Sequence, residues 1–336
     1  MKLTVIIPAY NSEDTIDECL QAIINQKNVR LNKDYCILLV DDGSTDRTVE
    51  IAQKYPIKIL SLQKNQGRII ARLNGAMHAK TQKIFFVDSR VALTENVISD
   101  LDKYWKYPAV MGEELHDENI KYETFFSTFL YLIRRKYYGK ENFPLQAEQL
   151  KINKENFKRS PKGTTILFID RELFINITPE NTSKYVSNDT LLFHKLIFEQ
   201  KLNLLKVKEL FYRYRIRLGF KKLSSWIYER GGPFSNFYLV RGGYFYTQFI
   251  IATIYIFVLF STLTISLFIS SDLFFIIIYS IILFNIFLSI YLSENIKDFF
   301  ILLFSMPVIV SIFGAGILNY HVKMLCEKFS SETNHT

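Results

Sequence analysis

The 336-residue sequence is poor in cysteine, and its three cysteines, Cys19, Cys36 and Cys326, are scattered. Their odd number and wide spacing argue against a disulfide framework or a structural zinc site and point to reduced thiols. The sequence has no Cys-x-x-Cys, no Walker loop, no metalloprotease histidine pair and no nucleophile elbow. Redox, P-loop, zincin and serine-hydrolase chemistries of the common kinds are therefore unsupported. Charge is missing from three long runs near the C-terminus: Gly242–Ser271, Leu273–Ser293 and Phe299–Tyr320. Each exceeds the roughly 20 residues needed to cross a bilayer core.

Hydrophobic residues make up 49% of the chain, and the excess is concentrated in those runs. They are expected to form three transmembrane helices over 242–320, followed by a polar tail over 321–336. Met1-Lys2 leads straight into the strand-like Leu3–Ile7, an apolar run too short for export. Residues 1–240 are therefore expected as a cytoplasmic domain on a multi-pass cell-membrane protein.

The formal charge is +8, and much of the basic excess precedes the first apolar run. Lys206, Lys208, Arg213, Arg215, Arg217, Lys221 and Lys222 stand against Glu209, with Arg230 and Arg241 following. This places the stretch on the cytosolic side and suits anionic lipid heads. Nothing resembles a groove-reading module, so no nucleic-acid partner is expected. Three spans from an inside N-terminus would put Lys323 and Lys328 outside, against the positive-inside rule. A third segment that dips in without crossing, which Pro307 permits, removes that conflict.

The N-terminal third alternates strand and helix. Leu3–Ile7 reads as a strand ended by Pro8. Ser12 can cap a helix whose apolar face carries Ile16, Leu20, Ile23 and Ile24. Strands are expected at Cys36–Val40, Ile57–Leu62 and Ile84–Val87, and helices over about 47–54 and 68–79. This order predicts an α/β domain with a parallel sheet and crossover helices. Ligands bind such sheets beyond the carboxyl ends of the strands, where Pro8–Asn11, Asp41–Ser44 and Asp88–Arg90 all fall.

Four segments carry a resemblance: VIIPAYN at 5–11, VDDGSTD at 40–46, NQGRIIARLNGA at 65–76 and FFVDS at 85–89. In this order and spacing they resemble the nucleotide-binding half of a family-2 glycosyltransferase with a GT-A fold, a Rossmann-like, mostly parallel sheet. The likeness is strong over 3–100 and weaker over 101–240. It implies a donor site for a nucleoside-diphosphate sugar built from Pro8, Ala9, Tyr10, Asn11, Asp41, Asp42, Asp88, Ser89 and Arg90, with Asp41 on the base. Arg68 and Arg72, on the helix after Asn65-Gln66-Gly67, could reach the nucleotide.

Asp88 matches the first carboxylate of the family's Asp-x-Asp motif, which holds Mn²⁺ or Mg²⁺ against the diphosphate. Arg90 stands where the second is expected, and it cannot ligate a hard cation. Three readings stay open. A metal could use Asp88 with another donor, for which Glu113-Glu114-Leu115-His116-Asp117 is a candidate. Arg90 could itself neutralise the diphosphate. The protein could be a non-catalytic binding or scaffold protein.

By the same resemblance Asp189, at a helix start, is the catalytic base, although Asn188 replaces the usual glutamate. Lys162 and Gly163 resemble the edge of an acceptor pocket. Trp226 and Arg230 lie where processive synthases carry Gln-x-x-Arg-Trp, but in the wrong order and without the glutamine. The resemblance therefore implies a membrane-bound inverting transferase acting on a lipid-linked acceptor, a polyprenyl phosphate or a lipid-carried glycan. A processive polysaccharide synthase is the less favoured alternative.

Overall fold

A computed structural model describes residues 2–116, 118–179, 188–216, 219–239 and 245–333. Asp117, Arg217 and Arg241 lie outside them. The chain forms two compact units. Met1–Ile120, Arg134–Lys184 and Asn188–Ile216 make the first; Lys121–Ile133, Tyr185–Ser187 and Arg217–Thr336 make the second.

The first unit opens with β1 (Leu3–Ala9), α1 (Ile16–Ile24), β2 (Tyr35–Asp41), α2 (Thr48–Ala52), β3 (Lys58–Ser61) and α3 (Arg68–His78). It continues with β4 (Lys83–Val87), β5 (Val91–Leu93), α4 (Val97–Asp100) and β6 (Ala109–Glu114). α5 (Glu118–Lys121) and α6 (Phe125–Tyr138) run across the boundary between the units. β7 (Gln149–Ile152), β8 (Ile166–Asp170), α7 (Arg171–Ile177), α8 (Asn188–His194) and β9 (Leu204–Tyr214) complete it.

The strands form one nine-stranded sheet in the order β3-β2-β1-β4-β8-β6-β9-β5, with β7 paired to β9. The β3-β2-β1-β4 half is parallel, as crossover helices require. β8 enters antiparallel to both β4 and β6, so the sheet is mixed. β1 and β4 are buried along their whole length and apolar apart from Thr4 and Lys83, as strands covered on both faces are. α1 supplies Ile16, Cys19, Leu20 and Ile23, a buried stripe at helical spacing.

The expected end of β1 at Pro8 falls short of the observed one. Pro8 pairs with Val40, and Ala9 with Asp41. β4 pairs with β1 only as far as Ile6, so the proline lies beyond the part bonded on both sides. The larger differences are β6 and β9. Glu113 lies on β6 and Lys206 on β9, and both are buried. Lys206, expected among the residues that suit lipid heads, and Glu113, a candidate metal donor, are here an internal ion pair.

The second unit contains α9 (Phe220–Glu229), α10 (Gly231–Phe234), α11 (Tyr246–Ile269), α12 (Ser271–Leu292) and α13 (Ile296–Thr333). α12 and the Ile296–Cys326 part of α13 are long and apolar enough to cross a membrane. α11 spans 24 residues and coincides with the first uncharged run.

Candidate functional site

Because β1, β2 and β4 are parallel neighbours, their carboxyl ends share one edge of the sheet. The loops leaving that edge are tied by their own short polar side chains. Asn11 takes a left-handed φ of 46°, which asparagine tolerates better than most residues. Its backbone N–H donates to Ser44 Oγ at 3.0 Å, and its Oδ1 accepts from the Thr45 N–H at 2.9 Å. The buried Ser12 and Ser89 hydroxyls meet at 2.8 Å, joining the β1 and β4 loops. Pro8 and Ala9 are buried backbone at this edge, whereas Tyr10 is exposed.

The two aspartates after β2 divide their work. Asp41 Oδ1 caps the following turn by accepting from the Ser44 N–H at 3.0 Å. Asp42 spends both oxygens on backbone, accepting from the Gln66 and Gly67 N–H groups at 2.8 Å each. Burial raises its pKa, and those two hydrogen bonds and the neighbouring Asp41 charge act on it less. Asp42 thereby holds the start of α3 against the donor loop. Gly43, at φ 74°, lies so close to the same segment that a Cβ would sit 2.8 Å from the Lys64 carbonyl carbon.

α3 then delivers two arginines one turn apart on a single face. Arg68 Nη1 lies 3.7 Å from Asp88 Oδ2. Its side chain is 48% exposed, so only partial desolvation opposes its charge, and Asp189 and Asp88 outweigh that and raise its pKa. Arg72 is only 1% exposed. Its Nη2 donates to the Thr164 carbonyl at 3.1 Å and its Nη1 to Asp189 Oδ1 at 3.4 Å. Burial lowers the Arg72 pKa, with Asp189 acting in the opposite direction. The Thr164 hydroxyl donates to the same Asp189 oxygen at 2.7 Å.

Asp88, Asp189, Arg68 and Arg72 thus come together as one charged cluster. Thr164 was not singled out from the sequence; its only signal was its place in the Lys162–Thr165 segment. Arg90 sits in the turn between β4 and β5, its carbonyl accepting from the Arg215 N–H at 2.9 Å.

Lys162 is committed to its own loop, its Nζ donating to the carbonyls of Phe157 and Ser160. Burial lowers its pKa to about 8. Gly163 faces open space, its nearest neighbour being Thr165 Oγ1 at 3.9 Å from a built Cβ. Trp226 and Arg230 belong to the second unit. There Trp226 meets Phe126 edge-on at 5.2 Å, and the Arg230 guanidinium lies 4.7 Å over the Trp226 ring.

The acidic stretch considered as a metal donor is otherwise engaged. Glu113 pairs with Lys206 and accepts from the Leu145 N–H, while Glu114 pairs with Arg134 at 3.5 Å. Burial pushes the His116 pKa down to about 3. Among the described residues no three His, Cys, Asp or Glu side chains converge to hold a metal ion. With Asp88 paired to Arg68 and Arg90 in the second position, these residues as they stand do not fit the family's Mn²⁺ or Mg²⁺ site.

Residues 4–159 match the sequence profile described as glycosyl transferase family 2. A poly(ribitol-phosphate) beta-glucosyltransferase of Bacillus spizizenii is 41% identical over 95 residues, covering 26% of this chain and 15% of that protein. A dolichyl-phosphate beta-glucosyltransferase of Drosophila melanogaster is 32% identical over 152 residues, covering 39% of this chain and 46% of that protein. The chain spans less than half the length of these curated relatives. Among solved structures, S. aureus TarS 1–349 in complex with UDP-GlcNAc aligns with TM-score 0.49 at 17% identity, covering 70% of this chain and 67% of that one. The likeness to glycosyl transferase family 2 thus lies in residues 4–159, the N-terminal part of the chain.

Proposed function

We propose that the protein is a membrane-bound inverting glycosyltransferase that moves a sugar from a nucleoside diphosphate to a lipid-linked acceptor. The observation that carries this reading is the pair of carboxylates held by successive turns of α3: Asp88 at Arg68 and Asp189 at Arg72. The sequence resemblance assigns the first to the diphosphate and the second to the base.

The nucleotide binds over the β1 and β2 loops, with Asp41 at the base. The acceptor oxygen attacks the anomeric carbon while the bond from that carbon to the diphosphate oxygen breaks. Where the acceptor is a hydroxyl, its proton passes to Asp189, whose carboxylate Thr164 and Arg72 hold in place. Arg68 and Arg90 meet the charge that develops on the leaving diphosphate. A divalent ion would have to compete with Arg68 for Asp88, and no step here depends on one. Membrane attachment through the second unit suits an acceptor carried on a lipid.

The test is transfer of radiolabelled sugar from a panel of nucleoside-diphosphate sugars into the lipid fraction of membranes containing the protein. A non-catalytic role would leave that fraction unlabelled with every donor while nucleotide binding persists. A processive synthase would place the label in polymer rather than in a discrete lipid.

A further inference from the structure

We infer that α13 lies along the membrane surface, its exposed apolar face in the lipid, rather than crossing the bilayer. Only the α11–α12 hairpin would cross. This rests on the membrane attachment proposed above.

The argument comes from what each end of α13 touches. Near its start, Leu302 and Met306 pack with Leu288 and Leu292 at the end of α12, and Asn285 donates to the Leu303 carbonyl at 3.0 Å. Near its far end, His321 stacks on Phe249 at the beginning of α11 with ring centroids 5.2 Å apart. Tyr320 receives a hydrogen bond at 3.0 Å from Asn236, which precedes α11. α11 and α12 are joined end to end at Ser270, and each is long enough to cross a core of about 30 Å. If both cross, the beginning of α11 and the end of α12 lie on the same side. The two ends of α13 are therefore on the same side as well, about 30 Å apart along its axis.

Its lateral partners agree. Asp298 is fully buried and accepts from Lys121 Nζ and Tyr122 Oη at 2.8 Å each. An ion pair at this position suits an interface better than a hydrocarbon interior. Further along, α9 packs against α13 through Leu223 and Ile227 on Ile309. Gly231 lies so close to Gly316 that a Cβ there would sit 2.4 Å from the Gly316 carbonyl carbon. α9 also carries the exposed Lys221 and Lys222, which would be costly beside a mid-bilayer segment but suit anionic headgroups. More of α13 than of α12 is buried against protein. What α13 leaves open is apolar: Ile296, Phe300, Phe304 and Val308 recur at four-residue steps, and Leu318 and Val322 are again four apart.

The native Cys326, exposed at the end of the apolar stretch, is the reporter. Ser271→Cys at the hairpin tip marks the far side. Cells expressing the full chain are treated with a membrane-impermeant maleimide before and after permeabilisation, and each cysteine is read from the mass of its peptide. The inference expects Ser271→Cys to be modified in intact cells and Cys326 only after permeabilisation. Modification of both in intact cells means that α13 crosses and overturns the inference while leaving the membrane reading intact. Protection of both removes the crossing hairpin and overturns the inference together with the multi-pass reading.

Discussion

Arg72 and Asp189 stand 117 residues apart in sequence and 3.4 Å apart in space. The buried guanidinium also holds the Thr164 carbonyl, and Thr164 in turn holds Asp189. The arrangement is a triangle in which each member fixes the other two. Arginine suits it because a planar fork reaches two acceptors in fixed directions, which an ammonium does not. Arg72→Lys is expected to lower kcat by roughly 10-fold or more, by analogy with other lost positioning contacts, while the donor dissociation constant stays close to wild type. Steady-state kinetics combined with nucleotide titration checks the split. A rise in donor dissociation constant at constant kcat would place Arg72 in nucleotide binding instead.

Asp42 is read as a positioning residue. Asp42→Ala would leave the Gln66 and Gly67 N–H groups without their partner, at a cost of about 1–3 kcal/mol each when buried. Gly43→Ala would force a side chain into a left-handed φ and against the Lys64 backbone. Both variants are expected to show lower urea midpoints together with weaker nucleotide binding. Loss of binding with an unchanged midpoint would show instead that Asp42 acts directly on the ligand.

The N-terminal half was legible because its signals are local. Short apolar runs, three of them ended by Pro8, Asp41 and Asp88, alternate with amphipathic helices, and motifs mark the carboxyl ends of those strands and the start of α3. β6 and β9 were not legible for the opposite reason. Lys206 looks solvated until Glu113, 93 residues earlier, is placed beside it. The same holds for the site: Asp88 and Asp189 could be found by motif, but the role of Arg72 depends on Thr164, whose hydroxyl points at Asp189 only once β8 is in the sheet. Asp42 was expected at the donor, and only the fold shows that both its oxygens are taken by the start of α3.

Lys162 gives a pH signature. Burial lowers its pKa in the folded chain to about 8, against about 10.4 unfolded. The unfolded chain therefore binds more protons between those values, so stability rises with pH across the window. Below about pH 8 the folded chain carries a buried ammonium and the full penalty. Lys162→Met lacks this dependence. Its stability advantage over wild type is expected to shrink from pH 7.5 to pH 10, as read by chemical denaturation. A constant difference would mean that Lys162 is not desolvated.

The arginines predict weak metal dependence. With Arg68 on Asp88 and Arg90 in the second carboxylate position, wild-type transfer is expected to survive chelation of divalent ions. Arg68→Ala should frees Asp88 and make activity responsive to Mn²⁺, while Arg90→Asp should lower metal-free activity. If Arg90→Asp raises activity in Mn²⁺ and leaves metal-free activity unchanged, Arg90 is not a phosphate clamp.

The central claim is that Asp88 and Asp189, held by Arg68 and Arg72 of α3, serve sugar transfer. It is tested most directly by single-turnover transfer of radiolabelled sugar in membranes, comparing wild type with Asp189→Asn. A hydroxyl acceptor should show a loss of about 10²–10⁴-fold with nucleotide binding retained. A phosphate acceptor, already anionic near neutral pH, should lose much less. In either case the wild type labels a discrete lipid. Absence of labelled lipid from the wild type with every donor, at undiminished nucleotide binding, would contradict the account.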